Sequence, residues 1–232
     1  MEETGNSLHL CGILTETPVY GHEVFGEKFY YATLSVPRLS GAEDLLPITL
    51  SERLMDDTPL EIGSLLAIEG QLRSYNKVVE GAGRLLITGF AQRLLPVDTG
   101  ENPNQVQLTG ALCKPPSYRT TPFGREIADL MLAVNRAYGK SDYIPCITWG
   151  RTARFASHLN VGDKVQLLGR FQSRAYQKQL ADGSVINKMA YEVSVGRLSL
   201  AHDVPQTGYI YRDGHLEERI TPEGMHVLTN PQ

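Results

Sequence analysis

Residues 106–134, VQLTGALCKPPSYRTTPFGREIADLMLAV, can be laid without a gap on residues 8–36, LHLCGILTETPVYGHEVFGEKFYYATLSV. Gly110, Pro116, Tyr118, Phe123, Gly124, Leu132 and Val134 fall on Gly12, Pro18, Tyr20, Phe25, Gly26, Leu34 and Val36, a constant offset of 98. After one extra residue in the later copy, Gly162, Gly169 and Ser173 fall on Gly63, Gly70 and Ser74. A repeat of about 100 residues is too long for a solenoid unit and reads as duplication of a whole small domain. The differences between the copies then carry the functional information.

Both copies read as all-β. In the first, Leu8, Leu10, Gly12 and Leu14 share one parity with other residues between them, the period-two pattern of a half-buried strand. The aromatic and β-branched run at 28–37 follows, then a short strand near 45–50, the alternating Leu66, Ile68, Gly70 and Leu72, and a closing strand at 84–95. The second copy repeats this order at 105–114, 125–135, 142–149, 164–175 and 187–200. Between its third and fourth strands, Phe155, Ala156 and Leu159 fit one helical face, with Gly162 as a stop. Five strands with a short helix between the third and fourth is the order of a small Greek-key barrel of the oligonucleotide-binding type, the OB-fold; a five-stranded sandwich has the same periodicity.

The expected organisation is a first barrel at 1–97, a linker at 98–104 rich in turn formers, a second barrel at 105–200 and a tail at 201–232. In the tail, Asp213-Gly214 between two candidate short strands predicts a hairpin.

The net charge of −4 conceals an asymmetry. Residues 1–100 carry 7 Lys+Arg against 14 Asp+Glu, whereas residues 101–200 carry 13 against 7. Only the second copy attracts a polyanion. No apolar run is long enough to span a membrane, and the acidic opening MEETGNSLHL lacks the basic and apolar regions of a secretory signal. Three cysteines, Cys11, Cys113 and Cys146, fit free thiols in a reducing cytoplasm. Six histidines show no metal-ligand spacing, and neither a phosphate-binding loop nor a catalytic triad is legible, so no enzymatic activity, metal or cofactor is expected.

The second copy resembles the DNA-binding domain of bacterial single-stranded DNA-binding proteins over about 95 residues. The residues that carry the resemblance are the opening VQLTGALCKPPSYRTTPFG, LAVNR, DYIPCITWG and GRFQSRAY. It implies bases stacked on Tyr138, Tyr143, Trp149 and Tyr176, where the family often has tryptophan; three tyrosines keep the π-face at smaller area. It also implies a basic groove, for which Arg119, Arg125, Arg136, Arg151, Arg170, Arg174 and Lys178 are the candidates in the same segments, Arg119, Arg136 and Arg174 foremost. Such a surface binds without sequence preference, because every base has a flat face and every nucleotide a phosphate. The implied role is protection of single-stranded DNA in replication, recombination or repair, in the cytoplasm with the nucleoid, by a homodimer that brings four barrels together.

In the first copy the four stacking places hold Ser40, Leu45, Ser51 and Lys77, and Gly21 stands for Arg119. The expectation is a scaffold or partner-binding barrel; the opposing reading is a different, weaker nucleic-acid face using Tyr20, Phe25 and Tyr75. Alternation also predicts that at least one of Tyr30 and Tyr31 is a core residue. The family's acidic C-terminal tip, which recruits replication and repair proteins, has no counterpart in MHVLTNPQ. The alternative function is therefore a replication-restart or assembly adaptor whose main ligand is protein.

Overall fold

A computed structural model describes residues 5–55, 60–79, 82–96, 104–136, 139–179, 183–201, 206–212 and 215–221. The first copy contains β1 (Asn6–Leu14), β2 (Val19–Val24), β3 (Glu27–Pro37), β4 (Glu43–Ser51), a four-residue helix α1 (Glu52–Met55), β5 (Leu65–Val79) and β6 (Ala82–Leu95). The second contains β7 (Asn104–Leu112), β8 (Ser117–Thr120), β9 (Glu126–Asn135), β10 (Ser141–Trp149), α2 (Gly150–Ala156), β11 (Lys164–Gln179) and β12 (Val185–Leu200). A separate hairpin follows, β13 (Gln206–Arg212) with β14 (His215–Thr221). Its Asp213-Gly214 turn, most of the 98–104 linker and the rest of the tail lie outside the described residues.

Each copy closes into a five-stranded barrel. β1 pairs with β3 and β5, β3 with β4, β4 with β6 in parallel, and β6 with β5. The second copy repeats the ring with β7, β9, β10, β12 and β11. These are tandem OB-fold barrels with α2 between the third and fourth strands of the second ring. Their inward positions are the alternating apolar residues of the sequence: Leu8, Leu34, Ile48 and Leu72 in one, Val106, Leu132, Ile144 and Phe171 in the other.

Two elements escape the periodicity. β2 and β8 lie outside the rings as hairpin partners of β3 and β9. No residue of either is buried, so neither carries an apolar alternation to read. Tyr30 is half-buried rather than a core residue, its ring edge-on to Tyr20 at 6.0 Å, because its partner strand β2 is such an outer strand.

The repeated glycines mark where strands cross most closely. A Cβ at Gly12 would stand 2.5 Å from Ser35 O, and one at Gly110 would stand 2.4 Å from Ala133 O. At Gly70 and Gly169 it would meet Phe90 O at 2.0 Å and Ser194 O at 2.4 Å. Backbone cannot move aside as a side chain does, so Gly110→Ala is expected to destabilise the protein by about 1–3 kcal/mol in urea unfolding.

The barrels join edge to edge. β1 and β7 run antiparallel with Leu8 opposite Val106, Asn6 opposite Leu108 and Leu10 opposite Asn104, making one twelve-stranded sheet. Subtracting the offset of 98 turns Val106 into position 8, Leu108 into 10 and Asn104 into 6. The register therefore maps onto itself, as in an isologous dimer, but within one chain. Asn6 donates to Leu72 O and accepts from Leu72 N–H at 2.7 and 2.9 Å, and Asn104 treats Phe171 likewise at 2.6 and 2.8 Å. These buried amides continue the ladder where each strand turns from its own barrel toward the other.

Candidate functional site

β10 presents Tyr143 and Trp149 outward on one parity while Asp142, Ile144, Cys146 and Thr148 point inward. Tyr143 is 46% exposed, Trp149 40% and Tyr176, on β11, 38%. Tyr176 lies on the long β11–β12 hairpin opposite Lys188, with the Arg174 guanidinium 5.9 Å from its ring centroid. Arg174 also donates from Nε to Glu192 at 3.1 Å. Tyr138 lies outside the described residues.

The predicted cations divide into three groups. Arg119, on β8, is paired with Asp129 on β9, and Asp129 in turn helps to hold the Arg174 guanidinium protonated, behind the larger effect of Glu192. Arg119, Asp129, Arg174 and Tyr176 thus form one strip across the outer face. Arg151, in the first turn of α2, is exposed, as is Arg125 in the β8–β9 turn, and neither has an ion pair among the described residues. Lys178 belongs to β11, but its side chain lies outside the described residues.

Arg136 and Arg170 sit elsewhere, at the seam between the barrels. Arg136 donates from Nε to Asp142 Oδ2 at 2.5 Å and from Nη2 to the first barrel's Ser74 O at 2.9 Å. Asp142, fully buried, also accepts from Ser74 N–H at 2.5 Å and from Arg73 Nη1 at 3.1 Å. The mirror clasp joins Arg38 and Asp44 of the first barrel to Ser173 of the second. Arg38 Nε donates to Asp44 Oδ2 at 2.7 Å and its Nη2 to Ser173 O at 2.9 Å, while Ser173 N–H reaches Asp44 Oδ1 at 2.7 Å. Arg170 lies 3.5 Å from the same Asp44. Two carboxylates thus lock the barrels by charge-assisted bonds to cation and backbone at once.

The clasp touches the candidate site directly. Tyr143 N–H donates to Ser74 Oγ at 2.7 Å, so a first-barrel hydroxyl fixes the backbone where the first aromatic of β10 emerges. Leu45, the matching residue of β4, makes the same bond to Ser173 Oγ at 3.2 Å. A third cluster, also unforeseen, anchors β8 and α2: Glu126 accepts from Tyr118 Oη at 2.5 Å and from Arg154 Nε at 2.7 Å. Tyr118 and then Arg154 hold the Glu126 carboxyl below its ordinary range.

Burial pushes the Asp142 carboxyl up, but the hydrogen bonds from Arg136, Ser74 N–H and Arg73 outweigh it and hold the group below its ordinary value. A carboxyl depressed on folding contributes stability above its unfolded pKa and loses it as pH falls through the folded one. The loss is expected to begin below about pH 4. Asp142→Asn should flatten that acid limb in denaturation curves taken from neutral to acid pH, because the variant has no such proton to bind.

Among the described residues no group of three or more His, Cys, Asp or Glu side chains is placed to hold a metal ion. The outer face of the second barrel thus carries exposed rings beside the ion-paired Arg119 and Arg174, with the seam to the first barrel behind it.

A family model described as "Single-strand binding protein family" matches residues 103–201. The single-stranded DNA-binding protein of Bacillus anthracis is 39% identical over 136 residues, which cover 55% of this chain and 76% of that protein. Single-stranded DNA-binding protein 1 of Staphylococcus aureus (strain COL) is 40% identical over 83 residues, 33% of this chain and 50% of that one. The chain thus spans about half the length of several curated relatives that it matches. A crystal structure of a deletion mutant of the single-stranded DNA binding protein from Thermus aquaticus superposes with a TM-score of 0.62 at 25% identity, covering 84% of this chain and 93% of that one.

Proposed function

The chain belongs to the single-strand binding protein family, and from that premise we propose that its second barrel binds single-stranded DNA without sequence preference. The observation that carries the proposal is the row of half-exposed rings, Tyr143, Trp149 and Tyr176, on the basic copy. Bases stack on these rings, with Tyr138 as the fourth platform. Arg125, Arg151 and Lys178 neutralise phosphates, and Arg119 and Arg174 exchange a carboxylate partner for a phosphate as the strand arrives. Arg136 and Arg170 act behind the face, holding it to the first barrel. The family is one of non-enzymatic DNA-binding proteins.

In the cell, this activity would protect exposed strands during replication, recombination or repair, in the cytoplasm alongside the nucleoid. No helix among the described residues is long and apolar enough to cross a membrane. The working assembly is a homodimer with four barrels, the self-matching register of β1 and β7 already supplying two per chain. Replication or repair proteins are the partners this role calls for.

Trp149 is the single tryptophan and sits on the proposed face. Titration of the full-length protein with oligo-dT should quench its fluorescence strongly at low salt and less at high salt. A folded protein showing no quenching and no affinity for the oligonucleotide would favour the adaptor whose main ligand is protein.

A further inference from the structure

The seam between the barrels holds a groove of about 1030 Å³ along the junction of β1 and β7. Arg38, Leu39, Leu168, Arg170, Gly196 and Arg197 are among its lining residues, drawn from both barrels. Among the described residues no Asp or Glu lines it, and no Phe, Tyr or Trp. Asp44, fully buried beside it, is engaged by Arg38 and by Ser173 N–H, with Arg170 3.5 Å away. Arg197 is exposed and has no ion pair among the described residues. Three guanidiniums thus share one carboxylate, in a chain whose net charge is −4.

The first copy holds a more balanced version of the same place. Arg93 lies opposite Glu69 there and is paired with it at 2.5 Å. The equivalent strand partners in the second copy are Arg197 and Leu168. The cation is kept and the carboxylate is replaced by a leucine that is 41% exposed. A second cation stands differently as well. Asp142 draws on Arg73, whereas Asp44 draws on Arg170, which occupies the place of the buried Gln71 and lines the groove. The unpaired residue at the strand irregularity is Gln92 in the first copy and Gly196 in the second. A Cβ at Gly196 would meet only Leu168 O, at 3.7 Å, so the side chain missing there leaves open space. A lost carboxylate, a relocated cation and a deleted side chain all fall on one groove.

Arginine's planar fork fits a carboxylate or a phosphate. Bases of a single strand need rings to stack on, and this groove is lined by none. It offers the fully exposed Leu39 and the half-exposed Leu168 instead, so the complementary ligand joins carboxylates to aliphatic side chains. We propose that this groove docks an acidic, aliphatic segment of a partner protein, with carboxylates on Arg170 and Arg197 and aliphatic side chains against Leu39 and Leu168. None of Tyr143, Trp149 and Tyr176 lines it, so the site is separate from the ring-bearing face and does not depend on how that face is used. The partner-binding role expected of the first barrel thereby falls at its junction with the second.

Fluorescence anisotropy of a labelled peptide of aspartate, glutamate and leucine, titrated with the full chain, supplies the test. The peptide should bind at low salt and more weakly at high salt. A control peptide with asparagine and glutamine in place of the acids should lose about tenfold or more in affinity. Leu168→Glu rebuilds the pairing that Glu69 and Arg93 make in the first copy, and Arg197→Glu reverses the free cation. Both positions are exposed, so both variants should remain folded. Each should lower peptide affinity about tenfold or more, with oligo-dT affinity and oligomeric mass as in the wild type. A wild type that does not bind the peptide, or folded variants that bind it equally well, would overturn the proposal. Weakened oligo-dT binding in both variants would also overturn it, by making the groove a length of the DNA path. A changed oligomeric mass would sink it too, because a second copy of the chain would then be the occupant.

Discussion

Replacing Asp142 with alanine is expected to destabilise the protein by about 3–5 kcal/mol, the scale for breaking a buried ion pair. The carboxylate is fully buried and serves four donors: two from Arg136, one from Arg73 and the Ser74 N–H. Removing it leaves two guanidiniums partly desolvated without their counter-ion and a buried N–H without an acceptor. The effect should exceed that of Ser74→Ala, which deletes the hydroxyl but keeps both backbone bonds to the clasp. Urea unfolding measures the loss, and a value under about 1 kcal/mol would mean that solvent screens this pair as it does a surface one. Asp44→Ala tests the mirror clasp, where Arg38 and Ser173 N–H take the corresponding parts. The two losses should not simply add: once one clasp is open the seam can part and the other is already weakened, so the double variant reports their coupling. The functional consequence is distinct from the loss of stability. Because Ser74 Oγ holds Tyr143 N–H, Ser74→Ala should weaken oligonucleotide binding with a small change in unfolding energy, and Ser74→Thr, which keeps the hydroxyl, should restore it.

The barrels were legible because burial of one strand face writes an alternating pattern, and because each close strand crossing demands a glycine in both copies: Gly12 with Gly110, Gly70 with Gly169. β2 and β8 were not, since strands exposed on both faces leave no such pattern. The aromatic face of β10 could be read from the resemblance. The role of Arg136 could not, because its partners Asp142 and Ser74 stand 6 and 62 residues away in the chain. A signal was nonetheless present. Arg38 and Asp44 recur as Arg136 and Asp142 at the same offset, and Ser74 recurs as Ser173. A polar residue kept in both copies serves what both copies share, here the seam. Arg119, Tyr143, Trp149 and Tyr176 are not kept, and they point instead to what distinguishes the second barrel. Sorting the cations in this way separates Arg136 from Arg119 on sequence alone.

Removing the three described rings together, as Tyr143→Ala/Trp149→Ala/Tyr176→Ala, is expected to lower oligo-dT affinity by at least about a hundredfold. Each stacked base is worth roughly 1–3 kcal/mol, so one ring accounts for about a factor of ten and three for considerably more, short of full additivity where neighbouring bases share a platform. All three side chains are substantially exposed, so the variant should remain folded, with stability changed by no more than about 0.5 kcal/mol per site. Fluorescence anisotropy of a labelled oligonucleotide supplies the readout, since the variant lacks its tryptophan. The salt dependence separates stacking from charge. The aromatic variant should keep the wild-type slope of log affinity against log salt, because no phosphate contact has been removed. Arg125→Ala/Arg151→Ala should instead reduce that slope by about 0.7 per lost contact, at a smaller cost in affinity at high salt. A ring-deleted protein that still bound tightly, with its slope intact, would put the affinity in the phosphate contacts alone. The rings would then be free surface for a protein ligand, and the adaptor reading would become the better account of the second barrel.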